Sequence, residues 1–131
     1  MVDVKTNCLG TIDKDNYLIM SPNYPDEYPH ELNCTWKLSA PLGKRVLLHF
    51  DNFTTSDGND FLTIYNGIED KNKIIANLSG DFAQDIYSTG SKLFLRFTTT
   101  KKNDKFRGFS ILYEGRHKFL LIFRTSLRHC Q

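Results

Sequence analysis

Any chemistry in this chain has to come from its histidines, hydroxyls, thiols and carboxylates, and their spacing excludes most of the usual reactions. His30, His49, His117 and His129 show no metal-ligand spacing. There is no His-Glu-x-x-His pair, so a zinc-protease core is absent. Ser88 and Ser91 lie beside Gly90 without forming Gly-x-Ser-x-Gly, and no nucleophile–base pair is readable from spacing. Asp13-Lys14-Asp15-Asn16 opens like an EF-hand calcium loop but lacks the glycine and the distal glutamate that loop requires, which leaves a solvated turn. The sequence predicts no catalytic residue and no enzyme.

Thiols and asparagines say more. Cys34 has Cys8 as its nearest thiol. A bridge between them would close a loop of about 27 residues, worth roughly 3–4 kcal/mol in the chain-entropy model, and would leave Cys130 over. The competing reading is a reduced protein with three unrelated thiols. Three Asn-x-Ser/Thr triplets favour the oxidised, secretory reading: Asn33-Cys34-Thr35, Asn52-Phe53-Thr54 and Asn77-Leu78-Ser79. No apolar leader precedes Cys8, since Met-Val-Asp-Val-Lys has no hydrophobic region of the signal-peptide kind. An internal module of a longer chain, a fragment or a trimmed product would each start this way.

Of the 17 Lys and Arg, four (Arg116, Lys118, Arg124, Arg128) fall in the last sixteen residues, which hold no acid. The remaining 13 face 15 Asp and Glu, a near-neutral body that argues against nucleic acid as partner. A chain of 131 residues fits one domain. Aromatic and β-branched residues are frequent and helix signals poor, so the class is all-β.

Those elements must be short strands. Residues 21–36 carry three of the four prolines, which stiffen a non-helical crossing that delivers the chain into a strand at Cys34–Leu38, with Trp36 in the core. Further strands are read at Asn16–Met20, Lys44–Phe53, a run from Phe61 closed by Asn66-Gly67, Lys73–Leu78, Lys92–Thr98 and Gly108–Tyr113, separated by turn residues. Their spacing suggests a sandwich. Lys101, Lys102, Lys105 and Arg107 form the densest basic loop of the body. They are read either as a solvated loop or as a surface for an acidic protein or sulfated glycan. Tyr24 and Tyr28 are read either as partner-binding aromatics or as side chains packed over the sandwich edge.

Cys8, Ser21-Pro-Asn-Tyr-Pro, Tyr28-Pro29 and Cys34-Thr35-Trp36 together resemble the opening of a CUB domain. Asp60-Phe-Leu-Thr-Ile-Tyr-Asn-Gly67, Ser88-Thr-Gly90 to Phe97, and Gly108-Phe-Ser-Ile-Leu-Tyr113 follow in the order of that family, so the resemblance covers residues 8–113. It implies an antiparallel two-sheet jelly-roll sandwich, extracellular and non-catalytic, that binds other proteins or glycans. Residues 1–7 would be a lead, 8–114 the domain and 115–131 a tail.

Two departures from the family follow. The family's second disulfide would fall at Asp57 and Ser79, so it should be missing. The family's calcium site uses a Glu and an Asp near Asp60 and a further Asp after the Phe97-type strand. Asp60 matches, but Thr54-Thr55-Ser56 stands where the glutamate would be and Thr100 where the third acid would be. Asp57 is the only deputy. One or two carboxylates make a poor site for a hard cation, so no cofactor and no strong calcium binding are expected. In the tail, Phe119-Leu-Leu-Ile-Phe123 is too short to span a bilayer. It reads as an amphipathic surface segment or as an end produced by truncation or splicing. Two functions fit the resemblance. One is an interaction module of a larger protein, such as an astacin-like protease or a multi-CUB receptor. The other is a stand-alone glycan-binding protein resembling the spermadhesins.

Overall fold

Side chains that alternate between apolar and polar with a period of two bury one face of a strand and expose the other. In the computed structural model, which describes residues 8–12, 17–69, 71–101 and 105–117, this rule is clearest in the central strands of one sheet. The strands are β1 (Leu9–Ile12), β2 (Tyr17–Met20), β3 (Asn33–Ser39), β4 (Lys44–Thr54), β5 (Phe61–Asn66), β6 (Lys73–Leu78), β7 (Ile86–Tyr87), β8 (Lys92–Thr98) and β9 (Gly108–His117). Cys34, Trp36 and Leu38 of β3, Leu62 and Ile64 of β5, and Leu93, Leu95 and Phe97 of β8 all point inward and are buried.

These strands form a five-stranded sheet, β1-β3-β8-β5-β6, and a four-stranded sheet, β2-β9-β4-β7. Between the sheets lies one core. Phe97 meets Phe109 edge-on at 4.9 Å, Trp36 meets Phe109 at 5.9 Å, and Phe53 stacks on Phe109 at 5.7 Å. Each such fully buried aromatic contributes roughly 1.5–3 kcal/mol by removal from water. Tyr113 is buried as well, and its hydroxyl donates to the Ser39 carbonyl at 2.5 Å, linking the sheets. The jelly-roll sandwich expected from the sequence is the fold found.

Four local differences stand out. β1 lay unread, and it pairs parallel to β3 in an otherwise antiparallel arrangement, with Gly10 opposite Trp36. A Cβ at Gly10 would come 3.3 Å from the Trp36 ring, so a small residue lets the strand lie close. β7, only two residues long, is too short to carry a periodic signal. β4 holds an extra residue where its register with β9 shifts between Phe50 and Asn52. β9 runs on to His117 against Lys44–Val46, so residues 115–117 belong to the sandwich rather than to the tail. The lead before Cys8, the Asp13–Asn16 turn with the first residue read into the second strand, Lys102, and the tail from 118 with Cys130 lie outside the described residues.

Candidate functional site

Tyr28 is the residue around which one end of the sandwich is built. Residues 21–32 form a turn-rich, non-helical crossing rather than an extended one, with turns at Tyr24 N–H to the Ser21 carbonyl (3.1 Å) and Asp26 N–H to the Asn23 carbonyl (2.7 Å). Glycine is needed where this stretch meets β9. Gly108 has φ 87°, and a Cβ there would stand 2.8 Å from Ser21 Cβ. The close approach lets Ser21 Oγ accept the Phe109 N–H at 3.0 Å and donate to the Arg107 carbonyl at 3.2 Å. Tyr28 N–H then donates to the Phe106 carbonyl at 3.1 Å, and its ring packs edge-on against Phe97 at 5.1 Å.

Its hydroxyl reaches Asp60. It donates to Asp60 Oδ2 at 2.6 Å and accepts the Ser56 N–H at 3.1 Å. Asp60 Oδ1 accepts from the Thr100 N–H at 2.9 Å and from Thr100 Oγ1 at 3.2 Å. A buried polar group costs free energy unless it is bonded, and both oxygens of Asp60, 4% exposed, have protein donors. Three loops that are distant in sequence (around 28, 56–60 and 100) are thereby held by one carboxyl group. Thr99 Oγ1 adds a further tie, accepting the Leu32 N–H at 2.7 Å and donating to the Pro29 carbonyl at 3.1 Å.

Where the second disulfide of the resemblance would lie, Ser79 bonds instead. Its Oγ accepts the Gly58 N–H at 2.8 Å and lies within donating distance of the Asp60 and Ser56 carbonyls, at 2.7 and 3.1 Å. Thr55 Oγ1 accepts the Gly80 N–H at 3.0 Å, and the Thr55 N–H returns to the Gly80 carbonyl at 3.0 Å. Asp57 is exposed, and its carboxylate lies against Gly80.

A calcium ion needs several converging oxygen ligands. Among the described residues, no three Asp, Glu, His or Cys side chains converge in a way that would hold a metal. With the Asp60 oxygens already accepting protein hydrogen bonds, the donor set does not fit a calcium ion.

The other site residues read from the sequence are scattered around this end or away from it. Tyr24 is half-buried, and Lys101, Lys105 and Arg107 are exposed. Lys101 lies 3.8 Å from Glu31. Tyr28 is not a surface aromatic: it is buried, and its hydroxyl is turned into the loop cluster, so the edge-packing reading applies to it. Cys8 and Cys34 form a disulfide with Cα atoms 4.9 Å apart. Asn33, Asn52 and Asn77 are all exposed, and Asn77 Oδ1 accepts from Thr63 Oγ1 at 2.7 Å.

One cluster had no sequence signal beyond its residue types. His49, outward on β4, contacts Asp85 through Nδ1 at 2.8 Å and Asp51 through Nε2 at 3.3 Å. The Asp85 hydrogen bond and charge raise its pKa above the ordinary 6.5 against the lowering effect of desolvation, with lesser help from Asp51 and Glu114. Asp85 is 36 residues from His49, a separation at which sequence spacing carries no information.

Comparison with known proteins follows the same lines. The CUB domain family matches residues 8–113. Tolloid-like protein 1 of Homo sapiens is 35% identical over 100 residues, covering 72% of this chain and 10% of that protein. Bone morphogenetic protein 1 of Xenopus laevis is 34% identical over 111 residues, covering 81% of this chain and 16% of that protein. The chain thus spans a small fraction of the length of these relatives. The solved CUB1-EGF-CUB2 domains of rat MASP-1 superpose with a TM-score of 0.72 at 24% identity, over 82% of this chain and 42% of that one. The MASP-1 CUB2 domain bound to Ca2+ superposes with a TM-score of 0.70 at 22% identity, over 80% of this chain and 96% of that one. Both likenesses concern the fold.

Proposed function

The chain belongs to the CUB family, a family of non-catalytic modules, and on that footing we propose that it is an extracellular module that binds a protein partner through the loop end organised by Asp60, without calcium. The observation that carries this reading is the Tyr28–Asp60–Thr100 network. It orders the loops around residues 28, 56–60 and 100 by hydrogen bonds internal to the chain, and an ordered loop end loses less entropy on binding. Lys101, Lys105, Arg107 and the half-buried Tyr24 lie on or beside those loops, and their positive charge steers an acidic protein surface towards them.

The length of the relatives supports a place inside a larger multidomain protein, of the kind formed by an astacin-like protease or a multi-CUB receptor, where any catalysis belongs to other domains. Secretion fits the disulfide and the three exposed sequon asparagines, which would carry N-glycans. Among the described residues, no helix is long and apolar enough to cross a membrane.

The test uses the oxidised chain produced by a secretory host, displayed on beads and offered to extracellular proteins with calcium or with a chelator. We expect N-glycosidase to lower its mass, and a melting temperature unchanged by calcium. We also expect a captured extracellular protein whose binding survives the chelator and is lost in a Y24A/K101A/R107A variant that keeps the wild-type melting temperature. A clear thermal shift at calcium concentrations below about 100 μM would overturn the calcium-free reading. A capture profile identical for wild type and variant would overturn the assignment to this loop end.

A further inference from the structure

Every open sheet leaves two edges whose peptide groups face outward, and folded proteins blunt such edges with brevity, lysines, glycines, prolines or bulges. Three of the four edges here are blunted. β7 is two residues long, and Asp85 just before it is held by His49. β6 starts at Lys73, two residues after Lys71, and pairs with β5 across a register shift. β1 has Gly10 within its four residues.

β2 is as short as β1 but has none of the other devices. Tyr17-Leu-Ile-Met20 is uncharged, carries no proline or glycine and pairs with β9 in continuous register. Tyr17, Leu18 and Met20 are 46, 46 and 45% exposed, so three of the seven large exposed hydrophobics among the described residues sit on this one strand. Among the described residues, its backbone is equally open, with β9 its one neighbouring strand. Ser21 N–H bonds the Phe109 carbonyl at 3.1 Å. Counting back from there, the alternation of an antiparallel ladder turns the peptide groups of Ile19 and Tyr17 towards β9, and those of Leu18 and Met20 towards the edge.

We propose that this edge is a self-association surface: β2 pairs antiparallel with β2 of a second copy of the chain, Leu18 opposite Met20 of that copy, about a two-fold axis through Ile19. The strand is complementary to itself in this register in three respects. Leu18 and Met20 both present N–H and C=O groups to the edge, so each Leu18–Met20 pair exchanges both of its bonds. Both side chains lie on the outer face, so apolar side chains meet across the join, while Ile19, 1% exposed, stays in the core of each copy. A one-residue slip breaks both matches. A two-fold axis also sets any charged residue near it against its own copy, and β2 has no charge to repel. Asn52, on β4, is separated from β2 by β9, and Asn33 and Asn77 belong to the other sheet. Glycans there leave the edge clear.

Sedimentation velocity of the full, oxidised chain over about a hundred-fold range of concentration should show the mass rising from that of the 15.2 kDa chain plus its glycans towards twice that value. L18K/M20K should melt as wild type and weaken the dimer about ten-fold or more, since it puts like charges directly opposite. In a C130S background, L18C mixed with M20C should form an inter-chain disulfide, because opposed residues with Cα atoms about 5.5 Å apart lie within bridging reach. A chain monomeric throughout the range overturns the proposal, as does an L18K/M20K dimer of undiminished affinity. L18C linking to itself as readily as to M20C overturns the register. Should the lysine variant fail to fold, the cysteine pair decides alone.

Discussion

Replacing Tyr28 by Phe isolates one hydroxyl group. The ring keeps its edge-on contact with Phe97, at 5.1 Å, while the 2.6 Å bond to Asp60 Oδ2 and the 3.1 Å bond from the Ser56 N–H are both lost. A hydrogen bond to a carboxylate contributes roughly 1.5–3 kcal/mol net and a neutral one roughly 0.5–1.5. Because Asp60 Oδ1 keeps both Thr100 donors, the expected loss is about 2–4 kcal/mol. For a domain of this size that lowers the melting temperature by roughly 8–15 °C. Urea denaturation should show the midpoint falling with an unchanged slope, since the surface exposed on unfolding is the same. A double-mutant cycle with D60N should return a coupling of at least about 1 kcal/mol, as expected for residues in one network. A Y28F variant within about 0.5 kcal/mol of wild type, the range of ordinary surface substitutions, would refute the claim that this carboxyl group organises the loops.

Two further outcomes follow from the structure. C8S/C34S should lose roughly 3–4 kcal/mol, measured by denaturation of the oxidised and variant chains; peptide mapping without reduction should recover Cys8 linked to Cys34, and an unlinked pair would sink the assignment. His49 has a pKa raised above 6.5, chiefly by its bond to Asp85. Its stabilising contribution is therefore complete below pH 6.5 and disappears as pH rises through the folded-state pKa. The melting temperature of wild type relative to H49Q should accordingly be highest near pH 5.5 and decline towards pH 8, and D85N should remove most of that slope; a difference independent of pH would contradict it.

Much of the fold was legible because the sandwich repeats one rule. β3 and β5 alternate, β8 does so apart from the buried Phe94, and their bounds in the structure depart from the sequence reading by a residue or so. β1 escaped because its place depends on Gly10 lying against Trp36, a tertiary contact with no local signature. β9 runs past the sequence reading because Gly115 and Arg116 read as the start of a basic, apolar tail, whereas their backbone continues the ladder with Val46 and Arg45. At the site, Asp60 was recognised from its motif, but its partner was not. Tyr28 offers the same residue type as Tyr24 in the same proline-rich setting, and only the folded chain shows that one is buried against Phe97 while the other is half-exposed.

Hydroxyl groups stand at two positions where the resemblance would place stronger links. Thr100 takes the place of an acid and donates to Asp60 instead of sharing a cation with it. Ser79 takes the place of a cysteine and reaches the Ser56 and Asp60 carbonyls and the Gly58 N–H. Each substitution alone would leave a deficit: a buried carboxyl group without its cation, or a turn without its tether. Together with Tyr28 they form one connected network whose members satisfy one another. A network of this kind is worth more than its separate bonds and fails as a unit. A metal-tied loop end depends on the supply of its ion, and a disulfide-tied one on the surrounding redox poise. On the calcium-free reading proposed above, the geometry of the loop end depends only on the folded chain, so the Tyr28–Asp60 bond should govern its order in every medium in which the sandwich itself is stable.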